Sequence, residues 1–195
     1  MGLTKTLFVQ GKRCPKLLYY SVNKKQDIPK DSLGVEFRKI QGIKVGDLAK
    51  ELYPEGVDLA KYPDPTKLKL TEENRGKIVF EASVQFEDLF ARADILKPND
   101  DGTFDILEVK SDTQVKPEHI PDVAFQRYVF EKSGYKINEC YVVHTNNEYV
   151  KQGDIDVKQL FIEENVSELI DAYGKDDFEY RVKGSVLKQI KNGKN

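Results

Sequence analysis

The stretch ARADILKPNDDGTFDILEVKSDT, residues 91–113, constrains the fold of this chain more tightly than any other. LFARADIL (89–96) and FDILEVK (104–110) are short apolar runs of strand character, and Asp-Asp-Gly between them supplies a tight turn, so the segment reads as a β-hairpin. Each run carries a carboxylate where a strand favours a β-branched residue: Asp94 in the first, Glu108 in the second. A loop Asn99–Thr103 centred on Asp101 sets Asp94 directly across from Glu108. A centre half a residue earlier makes Leu107 its partner and leaves Glu108 adjacent. Either way two acids come close on neighbouring strands, and period-two alternation puts Glu108 and Lys110 on one face.

Like charges directly opposite each other destabilise a sheet, and a divalent cation between them reverses that sign. Mg²⁺ takes oxygen ligands, usually one or two carboxylates completed by waters and a substrate phosphate. The backbone carbonyl of Val109 is a further candidate ligand. A lysine beside the ion can orient or help deprotonate an attacking water and offset phosphate charge, so Asp…Glu-x-Lys is a minimal set for metal-assisted phosphodiester hydrolysis. The competing account is ordinary surface charge. Glu-x-Lys alone is a common strand-edge pattern; Arg92 would neutralise Asp94, and Lys97 and Lys110 would pair with Glu108.

The rest of the chain shows no repeat or low-complexity linker, and 195 residues suit one domain. Residues 4–21 read as helix around a break, with Gly11 weakening it and Pro15 suiting a fresh helix start. Residues 22–41 read mostly as loop. VGDLAKELYPEG forms a short helix stopped before Pro54, and 54–70, with three prolines, is irregular. Thr71-Glu72-Glu73 opens a helical turn. KIVFEASVQF (77–86) joins the hairpin as a third strand. Residues 117–133 return to helical spacing, with Gly134 as the C-terminal cap. INECYVVHT (137–145) is a buried strand, VSELIDAYGK (166–175) a final helix, and 176–195 a lysine-bearing tail. The expectation is an α/β fold: a mixed central β-sheet flanked by helices, with a helical N-terminal part (1–70), a core (71–175) and a tail. The helix after the hairpin carries the chain by a right-handed crossover to a strand of the same sheet.

Charge and cysteine content set further bounds. The net charge is −2, yet residues 1–45 hold ten Lys/Arg against three Asp/Glu, so a basic end sits on an acidic body and allows a local phosphate-binding face. Cys14 and Cys140 stand alone, which fits free thiols in a reducing cytoplasm and excludes four-cysteine zinc or iron–sulfur ligation within this chain. No apolar run reaches the roughly 18–20 residues a membrane span needs, and a signal peptide is not expected. With only His119 and His144, a histidine-based metal site is not expected; His144, in its apolar run, reads as a core histidine. Tyr19, Tyr20, Tyr128 and Tyr149 are candidates for base stacking, although helix-face aromatics more often serve the core.

ARADIL…DILEVKS resembles motifs II and III of the PD-(D/E)XK nuclease superfamily, in its RecB-like branch. VAFQRYVF is similar to the helical Gln motif of that branch, with Gln126 in the Gln position. GKRCPKLLYY is similar to the Cys-Pro-Arg/Lys segment opening CRISPR-associated RecB-like exonucleases, and GIKVGDLAKELYPEGV looks like the helix carrying the first motif. The likeness runs over residues 5–170, most specifically 81–131. It implies a restriction-endonuclease-like core and a Mg²⁺- or Mn²⁺-dependent deoxyribonuclease of a prokaryotic cytoplasm, acting in repair, recombination or defence. Asp94 and Glu108 would bind metal, Lys110 would be the catalytic lysine, and Gln126 would position substrate or the lysine, on a helix face shared with His119, Asp122, Val123 and Phe130. DNA is the implied partner, with a helicase or other nucleic-acid-processing protein beside it. Two departures matter. The usual first-motif His aligns with Gly46, leaving Asp47, Glu51 or Glu81 as substitutes, and the iron–sulfur cysteines are absent beyond Cys14. The alternatives are an inactive nuclease-fold module that binds nucleic acid, or a subunit that binds a protein partner.

Overall fold

Threonine, proline and the period-two runs set where elements start. The computed structural model of the protein describes residues 2–173. A two-residue strand, β1 (Leu3–Thr4), runs into helix α1 (Lys5–Arg13), whose N-cap Thr4 hydroxyl accepts from Leu7 N at 3.4 Å. Cys14 is extended, and Pro15 then opens α2 (Pro15–Asn23), as the helix-break-helix reading expects.

The next region departs from expectation. Helix α3 (Leu33–Lys50) occupies much of the segment read as loop. Only Ala49 of it is buried, while Leu33, Phe37, Ile40 and Ile43 are exposed, so its first half carries no core-facing period to detect. After β2 (Val57–Asp58), helix α4 (Asp64–Glu73) replaces the irregular stretch. Pro63 and Pro65 sit at its N-terminus, where a missing N–H costs no helical bond. Thr71-Glu72-Glu73 therefore closes this helix rather than opening one. Thr71 is buried, and its hydroxyl accepts from Ser83 N at 2.9 Å.

The three-strand meander follows as expected: β3 (Val79–Phe86), β4 (Leu89–Pro98) and β5 (Phe104–Lys110). Helix α5 (His119–Lys132) ends at Gly134, whose φ of 88° suits glycine, and leads to β6 (Ile137–Thr145). Beyond it lie α6 (Val157–Leu160), β7 (Phe161–Asn165) and α7 (Ser167–Ala172); the first two were not foreseen, and the 176–195 tail lies outside the described residues. The strands form one mixed sheet in the order β2-β3-β4-β5-β6-β7, with β1 also paired to β4. β5 and β6 are parallel neighbours, as the helical crossover requires. Leu7, Phe8, Phe125 and Phe130 from α1 and α5 pack on one face with Leu96, Ile106 and Val142. Ala49 and its α3 neighbours Val45 and Leu48 pack on the other with Phe80, Ile95 and Leu107. Among the described residues no helix is long and apolar enough to cross a membrane.

Two irregularities prepare the site. The β4–β5 ladder pairs Ile95 with Leu107, Leu96 with Ile106 and Pro98 with Phe104, which selects the loop centred on Asp101 and sets Asp94 opposite Glu108 one step past the last pair. In β3–β4 the pairs Phe80–Ile95 and Ala82–Ala93 bracket an unpaired Glu81 opposite Asp94, and Glu81 has φ 60°. The facing pattern slips by one here. Val79, Ala82, Val84, Ala91, Ala93 and Leu96 share one core cluster, while Phe80 and Ile95 join the other.

The N-terminus is docked with little clearance. Leu3 is fully buried, Leu3 N donates to Asp88 O at 2.6 Å, and a Cβ on Gly2 would lie 2.7 Å from that same oxygen. Gly2→Ala is therefore expected to destabilise by about 1–2 kcal/mol, lowering the calorimetric melting temperature by about 2–4 °C per kcal/mol for a domain of this size.

Candidate active site

One edge of β4 is only partly covered. β5 pairs with Ile95–Pro98 and β1 with Leu89–Phe90, so between them Ala91–Asp94 have no strand partner on that edge among the described residues. Side chains take over the backbone bonding. Gln126 Nε2 donates to Arg92 O at 2.9 Å, and Asp94 Oδ2 accepts from Val109 N at 2.8 Å. The sequence thus places polar side chains in two strands because the sheet ladder is missing there.

Glu108 is the centre of this opening. Its side chain is 3% exposed, and both oxygens are occupied. Oε1 accepts from Lys5 Nζ at 2.6 Å and Lys110 Nζ at 2.8 Å; Oε2 accepts from Gln126 Nε2 at 2.5 Å. Lys110 Nζ also donates to Asp122 Oδ2 at 2.7 Å. Burial alone would raise the Glu108 carboxyl, but the charges of Lys5 and then Lys110, with their hydrogen bonds, outweigh it and hold Glu108 well below the ordinary carboxylate range. For Lys110, burial favours the neutral form and is outweighed by Glu108 and Asp122, which hold the amine well above the ordinary lysine value. At neutral pH, so paired, Lys110 is an ammonium.

Asp94 behaves oppositely. Burial first, and then the charge of Glu108, push its carboxyl up from 3.8 to about 7, against the opposing pull of Lys5 and the Val109 hydrogen bond. Adjacent acids with such different proton affinities are a frequent signature of functional sites. Gln126 is fully buried, and its Oε1 has no hydrogen-bond partner among the described residues. The spacing-derived face of α5 is realised: His119, Val123, Gln126 and Phe130 are buried, and Asp122 reaches Lys110.

The charge-neutralisation alternatives resolve differently from the expectation. Arg92 pairs with Glu81 (Nε–Oε2 2.9 Å), not Asp94, and Lys97 lies over the Tyr53 ring, not on Glu108. Lys110 does pair with Glu108. Of the candidate substitutes for the first-motif ligand, Glu51 is exposed and lies off the cleft, and Asp47 is an exposed partner of Lys50. Glu81 stands nearest, opposite Asp94, shared between Arg92 and the buried Lys67 at 3.7 Å. Its positive φ is a strained conformation for a non-glycine residue, held by those ion pairs.

A cleft of about 640 Å³ opens between α3 and the sheet. Asp94, Glu108 and Val109 line it together with the acids Asp47 and Glu81 and the cations Lys39, Lys50, Lys67 and Arg92, so its charge is balanced. Gly46 lines it too, and a Cβ there would meet no atom within 4 Å. A larger cleft of about 750 Å³, lined by Tyr149, Asp156 and Phe161, contains none of the candidate catalytic or metal residues. His119 is tied to Asp112 (3.0 Å) and to Lys116 N, and His144 is buried. Tyr19 and Tyr20 pack edge to face with each other, and neither they nor Tyr128 or Tyr149 lines the Asp94 cleft. Lys5 and Asp122 complete the network. Asp122 was read only as part of a helix face, and Lys5, 103 positions from its partner, had no local signal at all.

Among the described residues, no three His, Cys, Asp or Glu side chains form an ion-holding cluster. Asp94, Glu108 and Val109 could supply oxygen ligands of the kind Mg²⁺ or Mn²⁺ take, completed by waters, rather than a closed zinc cage.

No protein-family model matches the chain, and no curated protein does. Among solved structures, SSO0001 is similar at 15% identity and a TM-score of 0.45, over 99% of this chain and 76% of its own.

Because folding raises Asp94 above its ordinary 3.8, the native state holds its proton longer than the unfolded chain. This carboxyl therefore erodes stability as pH climbs from about 4 to 7, and the cost is in full force above 7. Asp94→Asn, in chelator, is expected to raise the melting temperature at pH 8 by a few degrees and to change it little at pH 4. Gln126→Leu, which strips Arg92 O and Glu108 Oε2 of their donor, is expected to cost about 1–3 kcal/mol in urea unfolding.

Proposed function

We propose that this protein is a metal-dependent nuclease of the PD-(D/E)XK superfamily, RecB-like branch, with a restriction-endonuclease-like core, hydrolysing DNA phosphodiester bonds in a prokaryotic cytoplasm. The observation carrying this reading is the meeting of Asp94, Glu108 and Lys110 where the β4–β5 ladder ends, beside a cleft lined by Asp94 and Glu108. Asp94 and Glu108, with the Val109 carbonyl, would hold Mg²⁺ or Mn²⁺. When bound, the ion supplies Lewis-acid polarisation of the phosphate and a more acidic water. Gln126 fixes Glu108 and the bare edge of β4. Lys110, held between Glu108 and Asp122, presents a fixed positive charge to water and phosphate. Lys39, Lys67 and Arg92 line the cleft and would meet the phosphodiester backbone by exchanging their present partners, Asp31 and Glu81, for phosphate. Free thiols at Cys14 and Cys140 support a reducing compartment.

A second reading is a module of the same fold that binds nucleic acid, alone or beside a helicase, without chemistry. What favours it is that Glu108 is already satisfied by two ammonium groups and an amide.

Labelled DNA with Mn²⁺ decides between them. The wild type should cleave, and Asp94→Ala and Lys110→Ala should each lose about 100-fold or more; equal rates in all three discard the nuclease. Gly46→His places a ligand where the first-motif His of the branch would stand, in open space facing the cleft. It should tighten Mn²⁺ binding by roughly tenfold, about 1.4 kcal/mol, in titration calorimetry.

A further inference from the structure

We propose that Lys5 is a resident counter-ion of the acid site: its ammonium occupies Glu108, and a divalent cation binds there only by displacing it. The inference rests on the metal-dependent reading above and assigns that site a built-in competitor. Lys5 Nζ lies 2.6 Å from Glu108 Oε1, the oxygen that also accepts from Lys110, while Gln126 takes Oε2. A carboxylate oxygen has about two lone-pair positions, so Oε1 is full.

The two lysines differ in what else holds them. Lys110 has a second acid, Asp122, at 2.7 Å, whereas Glu108 is the one hydrogen-bond acceptor of the Lys5 ammonium among the described residues. Two added positive charges beside the pair repel both ammonium groups, and Lys5, held to Asp94 only through space and without a second hydrogen-bonded acid, is the one that leaves. Its backbone does not have to move. Lys5 is the first residue of α1, directly after β1, which is pinned to β4 by the buried Leu3 and the Leu3 N–Asp88 O bond. Release is a side-chain rotation about a fixed point: the Lys5 side chain is 25% exposed, although its ammonium is buried among Glu108, Asp94, Lys110 and Asp122. Lys5 thereby keeps Glu108 compensated while no ion is bound, which a buried carboxylate requires.

The test compares wild type, Lys5→Gln and Lys5→Arg by Mn²⁺ titration calorimetry and by melting with and without Mn²⁺. Lys5→Gln should bind Mn²⁺ about tenfold more tightly, and Lys5→Arg should stay near wild type. The melting temperature of Lys5→Gln should fall in chelator and recover with Mn²⁺, whereas a merely structural salt bridge would cost the same in both conditions. In the wild type itself, the Lys5 side-chain resonance should shift in step with Mg²⁺ binding. Equal Mn²⁺ affinity in wild type and Lys5→Gln, or a Lys5 resonance unmoved by bound Mg²⁺, overturns the proposal. If Mn²⁺-dependent cleavage persists in that case, the nuclease reading stands and Lys5 alone is misassigned. If neither protein binds Mn²⁺, both fall.

Discussion

A carboxylate buried to 3% exposure cannot stand alone, and much of the architecture answers to Glu108. Leaving one charge unpaired in a protein interior costs several kcal/mol. The chain meets that demand from three places: Lys5 at the start of α1, Lys110 two residues along the same strand, and Gln126 from the helix that crosses behind the sheet. These contacts tie the N-terminal helix, the hairpin and the crossover helix to one atom group.

The same convergence explains why the sheet is imperfect where it is. A continuous β4–β5 ladder would carry hydrogen bonds through Asp94 and leave no opening. Instead the ladder ends at Ile95–Leu107, the carboxylate of Asp94 bonds the next N–H, and Glu81 across the other edge adopts a left-handed backbone. Two neighbouring acids then differ in opposite directions, with Glu108 firmly ionised and Asp94 raised to about 7. Local departures of this kind from the most stable arrangement are common at binding and catalytic sites.

Legibility in the sequence tracked the range of the interaction. The hairpin and the Glu108–Lys110 face were readable, and its register narrowed to two choices, because turn chemistry and period-two alternation act over fewer than about twenty residues. The break at Pro15 and the cap at Gly134 were readable for the same reason. The first part of helix α3 was not, since it buries nothing and Gly34 and Gly42 dilute its helical signal, whereas its last turns from Val45, which reach the core, were read as helix. Helix α4 was masked by prolines that in fact begin it. The competing account set Arg92 against Asp94, its neighbour on one strand, but its guanidinium pairs with the cross-strand Glu81.

What the sequence determined by itself is the hairpin and the acids it carries, since alternation and a tight turn leave little freedom in where those side chains go. Only the tertiary structure decided what surrounds them: Lys5 from 103 residues away, Asp122 on Lys110, Arg92 on Glu81, and the cleft beneath α3. The reason is that electrostatic partnership depends on distance in space, and a linear pattern records it only when the partners are also neighbours along the chain.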